Sequence, residues 1–222
     1  MNIIKTYQNK EVVETFDKER EKFEYQRDKH RIESSFLMKS LFSGAKVLDV
    51  GCGTGRMLEP CFRKQSVEYY GADTSMEMMN VLKSKVDDLN VKVSLNECDA
   101  REMPFDDNTF DVVFSYHLLW HLPKDDQERV ISEMFRVVKE GGVVIFDIIN
   151  KNFILSSKDK EGLYKMSKKE IMDLIGYRHI LTDKLNDIPV NDFVYCFLGA
   201  INRLRAFLPS SLFHMVYFKV LK

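Results

Sequence analysis

The chain has 222 residues, of which 45% are hydrophobic, and its 33 basic residues nearly balance its 34 acidic ones, so that the formal net charge is -1. This size and composition suffice for a domain with a full hydrophobic core, and the near-neutral charge argues against a nucleic-acid partner. No run of about 18 apolar residues is present to cross a bilayer. The four cysteines form no C-x-x-C pair, which argues against structural zinc and fits a reducing cytoplasm.

The first segment of the chain, from Lys10 to Phe42, is highly charged and has apolar residues recurring along it. This pattern predicts two helices, and we expect residues 1–43 to form a helical cap on the main fold. Tyr25, Arg27 and Arg31 either close over a ligand there or lie on a solvated helix face.

From Ala45 onward, short β-rich runs alternate with helical stretches. Helices are predicted to begin near Gly55, Ser75 and Lys124. The alternation predicts an α/β fold with a parallel sheet covered by helices on both faces, occupying residues 44–222. The five strand candidates are KVLDV, VEYYGA, VKVSL, FDVVFSY and GVVIFDII.

Beyond the fifth strand, the segment SKKEIMDLIG has Ser167 and Glu170 at the spacing of a capping box, and a helix is expected. Two further strand candidates follow, YRHILTDKL and FHMVYFKVL. Between them, apolar residues from Val190 to Leu208 recur at helical spacing and predict a helical insertion.

The most informative stretch is VLDVGCGTGRML, in which Gly51, Gly53 and Gly55 alternate directly after a strand. In an open α/β sheet the first strand-helix turn is the floor of the ligand site. The pattern is G-x-G-x-G, which is neither the dinucleotide fingerprint G-x-G-x-x-G nor a phosphate-binding P-loop. A carboxylate at Asp49 would oppose a pyrophosphate and favour a ligand with positive charge or an amino group.

Two more acids follow the next two strands. Asp73, in GADTS, is placed where an acid accepts both hydroxyls of a ribose. Asp99, in NECDA, could accept from an adenine amino group, while Ala100 leaves room for the ring. Together with Asp49, these acids describe a cationic adenosine better than a diphosphate.

These motifs, together with NECDAREMPFDDNTFDVVFSYHLLWHL and EMFRVVKEGGVVIFDII, resemble the class I S-adenosylmethionine-dependent methyltransferases from Ala45 to about Ile149. The resemblance implies a Rossmann-like, doubly wound, seven-stranded sheet whose last strand is antiparallel. Glu140 stands where the family often has proline, a departure we expect to be harmless.

The resemblance also implies S-adenosyl-L-methionine as the cofactor and assigns its contacts. Asp49, Gly51 and Gly53 would lie near its amino-acid part, with Cys52 and Gly55 in the same turn, and Asp73 would bind the ribose. Further contacts are expected from Thr74, Met76, Asp99, Ala100 and Ser115.

Candidate catalytic residues are His117 and His121, in YHLLWHL. An imidazole titrates near neutral pH and could remove a proton from the methyl acceptor. Their spacing would also suit a metal on a helical face, but no carboxylate or cysteine stands at ligand spacing, so no metal is predicted. Alternatively, His121 and Trp120 only pack or edge the adenine.

The resulting hypothesis is an enzyme that transfers a methyl group to O, N or C of a small-molecule or lipid-linked acceptor by in-line displacement. The alternatives are an NAD(P)-dependent oxidoreductase and a non-catalytic cofactor-binding module. A nucleic-acid methyltransferase is disfavoured because no N-P-P-Y signature follows the fourth strand. Residues 193–222 carry four basic residues and no acid, and with the insertion at 190–208 they would form an acceptor lid, a peripheral membrane contact or a face of a homodimer. A monomer is equally compatible with the sequence.

Overall fold

The computed structural model of the chain describes residues 10–62, 66–87, 91–152, 163–175, 180–187 and 215–222. The predicted insertion at 190–208 and most of the basic C-terminal segment lie outside the described residues. Among the residues that the structure describes, no helix is long and apolar enough to cross a membrane.

The centre of the fold is one sheet in which seven strands follow the order β3-β2-β1-β4-β5-β8-β7. Strands β1 to β5 pair in parallel, and β8 pairs antiparallel with both β5 and β7. A two-residue strand, β6, pairs with β5 outside this order. The strands are β1 (Lys46–Val50), β2 (Glu68–Asp73), β3 (Lys92–Glu97), β4 (Phe110–Ser115), β5 (Val138–Asn150), β6 (Lys165–Met166), β7 (Ile180–Asp187) and β8 (Met215–Leu221).

This topology confirms the predicted Rossmann-like sheet with an antiparallel last strand. The addition to the prediction is β6, and β5 begins at Val138, ahead of the predicted run GVVIFDII, where Val138 pairs with Phe110 of β4 before a shift in register.

The described helices are α1 (Lys10–Glu21), α2 (Glu24–Met38), α3 (Leu58–Phe62), α4 (Met76–Val86), α5 (Lys124–Val137) and α6 (Lys168–Ile175). Two of them, α1 and α2, are the helices predicted before the first strand; α1 contacts α2 and α4, and α2 contacts α3. The capping box that begins α6 is present, since Ser167 N donates to Glu170 Oε2 at 2.7 Å and Glu170 N donates to Ser167 Oγ at 3.2 Å.

Apolar side chains cover both faces of the sheet. One face packs Phe114 and Ile145 against Leu37 of α2 and Cys61 of α3. The opposite face packs Phe146 and its neighbours against α5 and α6. Because both faces are buried, ligands can reach the sheet only at the ends of its strands.

Candidate functional site

The strand order reverses between β1 and β4, so that β1 leads to β2 on one side and β4 leads to β5 on the other. In open α/β sheets the crevice beyond the carboxyl ends of two such strands is the usual ligand site. Here Gly51 N and Cys52 N both donate to Ala72 O, at 2.7 and 3.1 Å, which ties the glycine turn (Gly51–Gly55) to the end of β2. The turn therefore forms one wall of the crevice.

Asp73 braces this turn from the end of β2. Its Oδ2 accepts from Gly53 N at 2.8 Å, and its Oδ1 accepts from Ser75 N at 2.9 Å. Burial raises the pKa of the Asp73 carboxyl. The predicted ribose-binding acid thus lies against the turn, and its two oxygens also hold the local backbone in shape.

Asp49 lies beneath the turn rather than in the open crevice. It is 4% exposed, and Tyr69 donates its hydroxyl hydrogen to Asp49 Oδ2 at 2.6 Å. Burial raises the pKa of this carboxyl to about 7, although the hydrogen bond from Tyr69 opposes the rise. A charge on Asp49 would act on a ligand through the backbone of the turn.

Asp99 and Ala100 follow β3 at the far side of the same edge. Both Asp99 oxygens accept from the guanidinium of Arg101, with the shortest distance, 2.6 Å, from Nη2 to Oδ2. This pair keeps the pKa of Asp99 below its usual range. An adenine amino group would therefore share this carboxylate with Arg101.

The remaining predicted contacts differ in accessibility. Thr74 and Met76 are exposed where β2 passes into α4. Ser115 is fully buried, and its hydroxyl donates to Val50 O at 2.8 Å, which joins the ends of β1 and β4. Burial raises the pKa of the Cys52 thiol well above its usual range, so that Cys52 acts as an apolar packing residue under the turn.

On the other side of the crevice lies a group of polar side chains, here called the cap cluster, of which Glu33, Asp147 and Tyr217 are buried and Arg56 and His117 are half-buried. Glu33 is at its centre, fully buried on α2. Its Oε1 accepts from the Tyr217 hydroxyl at 2.9 Å and contacts His117 Nε2 at 2.7 Å, and its Oε2 accepts from Arg56 Nη1 at 2.5 Å. These partners hold the pKa of Glu33 well below its usual range against the effect of burial.

His117 is held in an unusual backbone conformation just after β4. Its φ is 67°, a left-handed value that is costly for a side chain other than glycine and is concentrated at functional sites. Its backbone N donates to Asp147 Oδ1 at 2.9 Å. Arg20 of α1 approaches Nδ1 of the ring, so that Nδ1 accepts, and Nε2 carries the hydrogen that is donated to Glu33. Burial lowers the pKa of this imidazole well below its usual value.

Asp147 is the second buried acid of the cap cluster, on β5. Its side chain is fully buried, and within the described part of the chain its Oδ2 has no hydrogen-bond partner. Burial raises the pKa of this carboxyl to about 7, although the positive charge of Lys29 opposes the rise. An unpartnered buried carboxylate oxygen is unusual in a folded protein, and it is free to accept a hydrogen bond from a bound molecule.

One ligand atom from each of Glu33, His117 and Asp147 lies within 4.8 Å of the others, a spacing that a metal ion could use. The charges argue against a cation, however. Arg56 pairs with Glu33, and the positive charges of Arg56 and Lys29 act on His117. A proton suits this environment better than a divalent ion does.

The second predicted histidine, His121, belongs to a short 3-10 helix (Leu119–His121) and shares no α-helical face with His117. Its Nε2 accepts from Trp120 Nε1 at 2.9 Å. The Trp120 ring lies between the two histidines, 4.9 Å from the His117 ring and 5.9 Å from the His121 ring. His121 thus lies against Trp120, and of the two histidines only His117 belongs to the cap cluster.

Sequence reasoning missed Glu33, Arg56 and Asp147. Asp147 did carry a signal, since it is an acid within the apolar run VVIFDII, and such acids are seldom buried without a purpose. Glu33 carried none, because α2 is rich in charge throughout. Of the predicted cap residues, Arg27 and Arg31 line a cavity of about 910 Å³ between the cap helices and the glycine turn, whereas the side chain of Tyr25 is outside the described set.

Comparison with known proteins gives this arrangement a context. A family model described as a methyltransferase domain matches residues 47–142. Methyltransferase GfsG of Streptomyces halstedii is 31% identical over 147 residues, covering 64% of this chain and 52% of that protein. Phosphatidylethanolamine N-methyltransferase of Cereibacter sphaeroides is 40% identical over 104 residues, covering 46% and 49%. The chain spans about half the length of these curated relatives.

Solved structures show the same fold at low sequence identity. The [4+2]-cyclase SpnF superimposes with a TM-score of 0.69 at 18% identity, covering 89% of this chain and 82% of that one. Magnesium protoporphyrin IX methyltransferase of Synechocystis PCC 6803, crystallised with bound S-adenosylmethionine, gives 0.65 at 15% identity, covering 90% and 84%.

Proposed function

We propose that the chain is a class I S-adenosylmethionine-dependent methyltransferase, a methyltransferase-domain model matching residues 47–142, and that it transfers a methyl group from S-adenosylmethionine to a small-molecule or lipid-linked acceptor. Relatives named as a methyltransferase, a phosphatidylethanolamine N-methyltransferase and a demethylmenaquinone methyltransferase support the reaction class and leave the acceptor to be argued from this chain's own residues.

The observation that carries the proposal is the position of Asp73 beside the glycine turn. A carboxylate that ends the second strand, next to a turn without side chains, suits the two ribose hydroxyls of a nucleoside. Its Oδ2 already accepts from Gly53 N, so that the ribose and the turn would share one carboxylate. The residues present therefore fit an adenosine ligand at the strand ends of β1 and β2.

The sulfonium end of such a ligand would face the glycine turn and the segment after β4. Leu118 Cβ lies 3.2 Å from the position that a Cβ on Gly51 would occupy, so that the turn can approach this segment only as glycine. The buried acid Asp49, beneath the turn, favours positive charge in the ligand above it. Bound S-adenosylmethionine supplies an activated methyl group to this region.

The protein's part in such a transfer is alignment and removal of water. Holding acceptor and methyl group in line is worth roughly 7 to 11 kcal/mol in well-oriented systems. The cap helices lie over the crevice. Asp17 of α1 accepts from Thr54 Oγ1 at 2.7 Å, and Glu33 of α2 contacts His117 Nε2. We propose that the cap excludes water during transfer, that His117 acts within the cap cluster, and that His121 packs beside it.

Calorimetry with S-adenosylmethionine and with S-adenosylhomocysteine tests the proposal. Both should bind, and Asp73→Asn should weaken binding about 10- to 150-fold, because a charge-assisted hydrogen bond contributes about 1.5 to 3 kcal/mol. Asp107→Asn is the matched control, since Asp107 is an exposed acid paired with Arg136 away from the crevice. Absence of binding by either ligand to the wild-type protein would refute the proposal.

Transfer itself is tested with a methyl-labelled donor and cell extract separated into aqueous and lipid phases. Label in one phase identifies the acceptor class. Tight cofactor binding with no label in any phase would favour the non-catalytic module, and saturable quenching or enhancement of NADH fluorescence would favour the oxidoreductase.

A further inference from the structure

Both ring nitrogens of His117, the predicted base, are already engaged. Nε2 is 2.7 Å from Glu33 Oε1, and Nδ1 accepts from Arg20. A nitrogen whose lone pair is occupied by an arginine donor is a poor acceptor for a substrate proton. His117 is therefore arranged to hold its neighbours in position rather than to receive a proton.

Asp147 has the free acceptor atom that His117 lacks. Its Oδ1 is fixed by the backbone N of His117 at 2.9 Å, while Oδ2 lies 3.9 Å from His117 Nε2 and has no hydrogen-bond partner among the described residues. Leaving such an atom unpaired in the interior costs free energy. A donor hydrogen on a bound molecule would offset that cost.

The position of Asp147 is that expected for contact with a methyl acceptor. Phe146, its neighbour, pairs with Ser115 at the end of β4, and the crevice lies just beyond. His117 joins Asp147 to the segment that packs against Gly51 of the glycine turn. Only the segment that begins at His117 therefore separates Asp147 from the place proposed for the sulfonium.

We propose that Asp147 is the catalytic base, and that the acceptor's reacting atom is a hydroxyl oxygen or an amine nitrogen that carries a hydrogen. This rests on the proposed methyl transfer. A lone pair of the acceptor atom forms the new bond to the methyl carbon, and the C–S bond breaks with its electron pair moving to sulfur. The X–H bonding pair stays on the acceptor atom as its proton passes to Asp147 Oδ2. The donor loses its positive charge and Asp147 its negative one; the proton then leaves to solvent.

The charges around Asp147 suit this step. Lys29 and Glu33 face it from α2, Arg56 from the segment after the glycine turn, His117 from the segment after β4, and Tyr217 from β8. Burial dominates and raises the pKa of Asp147 to about 7, which is the range in which a base is both available and strong enough at neutral pH. An acceptor that presents a carboxylate would be repelled by Glu33 and ionised Asp147.

Entry of the acceptor requires the cap to move. Asp147 is fully buried, the positive charge of Lys29 on α2 acts on it, and Lys29 Nζ lies 4.9 Å from the centre of the Trp120 ring. Arg20 of α1 contacts Nδ1 of the His117 ring. In the proposal, α1 and α2 open to admit the acceptor and close before transfer.

The first experiment needs no acceptor. The wild-type protein, labelled with ¹³C in its aspartate carboxyls and loaded with S-adenosylhomocysteine, is titrated by NMR, with Asp147→Asn used to assign the signal. We expect a signal that titrates near pH 7 and is absent from the variant. An Asp147 carboxyl that stays ionised down to pH 5 would overturn the proposal.

The second experiment measures single-turnover methyl transfer from labelled S-adenosylmethionine into the extract fraction that accepts label. Asp147→Asn should lower the rate about 100-fold or more, the usual scale of general base catalysis, with S-adenosylmethionine affinity unchanged within about twofold. In the wild type the rate should rise with pH through about 7. Asp173→Asn, an exposed acid on α6, is the control and should behave as wild type.

His117→Gln separates the two roles. As a positioning residue, His117 should lower the rate and shift the midpoint of the pH profile without abolishing its rise. If the rise disappears in His117→Gln and persists in Asp147→Asn, the base is His117 and the proposal is wrong. Transfer by wild type with no loss in Asp147→Asn refutes only this inference, whereas failure of wild type to bind the cofactor refutes the proposed function.

Discussion

The glycine turn and the cap cluster line the same crevice but are held together in different ways. The turn is fixed by backbone N–H groups that reach Ala72 and Asp73, about one strand-helix-strand unit along the chain. The cap cluster is fixed by side chains from distant segments, with Glu33 and Tyr217 separated by 184 positions. We therefore expect the stability of the turn to fall mainly when atoms are added, and the stability of the cap cluster to change mainly when a charge is lost or added.

The largest effect is expected in the cap cluster. Glu33→Gln leaves the Arg56 guanidinium without its carboxylate in the interior, which should lower the free energy of unfolding by about 3 to 4 kcal/mol. Because the pKa of Glu33 is lowered in the folded state, its stabilisation is present above the ordinary pKa of 4.5 and is lost as the pH falls below it. The loss on mutation should therefore be large at pH 7 and smaller near pH 3.

Urea unfolding at the two pH values measures this difference. Glu68→Gln is the control, since Glu68 forms an exposed pair with Lys92 on the strands β2 and β3 and should change the stability little. Equal losses for Glu33→Gln and Glu68→Gln would show that the cap cluster contributes no more than a surface ion pair.

The turn is tested by adding one methyl group. In Gly55→Ala the new Cβ would lie 2.6 Å from Leu82 Cγ, in a residue with φ of 77°. Backbone strain and overpacking together should cost about 3 kcal/mol and weaken S-adenosylmethionine binding. Gly141→Ala is a matched control: its φ is 73°, but nothing lies within 4 Å of the added Cβ, so that only about 1 kcal/mol should be lost. Similar unfolding midpoints for the two variants would contradict the steric account.

The effect expected at Asp49, beneath the turn, arises from its charge and is intermediate in size. The pKa of Asp49 is raised to about 7 in the folded protein from an ordinary value of 3.8. An acid whose pKa is raised on folding makes the wild type less stable as pH rises through this window. Relative to wild type, Asp49→Asn should thus gain about 2 kcal/mol between pH 5 and pH 8.

Thermal or urea unfolding across that range measures the gain. Asp125→Asn, an exposed acid in the first turn of α5, should run parallel to wild type. A pH-independent difference between Asp49→Asn and wild type would show that folding does not raise the pKa of Asp49, and the predicted charge effect beneath the turn would then be wrong.

The smallest effect is expected at the contact that joins α1 to the turn. Asp17 accepts from Thr54 Oγ1 at 2.7 Å and from Lys85 Nζ at 2.6 Å. Since the Asp17–Lys85 pair is about one-third exposed, Asp17→Asn should cost only about 1 kcal/mol. Hydrogen exchange should nevertheless accelerate in α1 while α5 stays unchanged. Unchanged exchange in α1 would show that this contact does not hold the cap closed.

Much of the cofactor side could be predicted from sequence because its residues are close along the chain. Asp73 follows a strand that pairs with β1, so a single strand-helix-strand unit brings it to Gly53. Asp99 was placed at the correct strand end, but its pairing with Arg101 was not anticipated, since local spacing alone does not say which donor a carboxylate prefers.

The acceptor side was predictable only in part. His117 was identified as a candidate from its residue type and position after β4, yet its φ of 67° and its bonds to Glu33 and Arg20 depend on how the cap packs. Sequence periodicity predicts that α2 exists and which of its faces is apolar. It does not say which acid on that helix will meet a half-buried arginine.

By itself, the sequence determined the parallel sheet, the glycine turn at its first strand end and the acids that follow the next strands, because these follow from periodicity and from the few residues that tight turns tolerate. Only the tertiary structure decided that Glu33, Arg56, His117, Asp147 and Tyr217 form one cluster. The physical reason is burial: taking charges out of water makes their pairing and their pKa values depend on neighbours that are near in space and far apart in the chain.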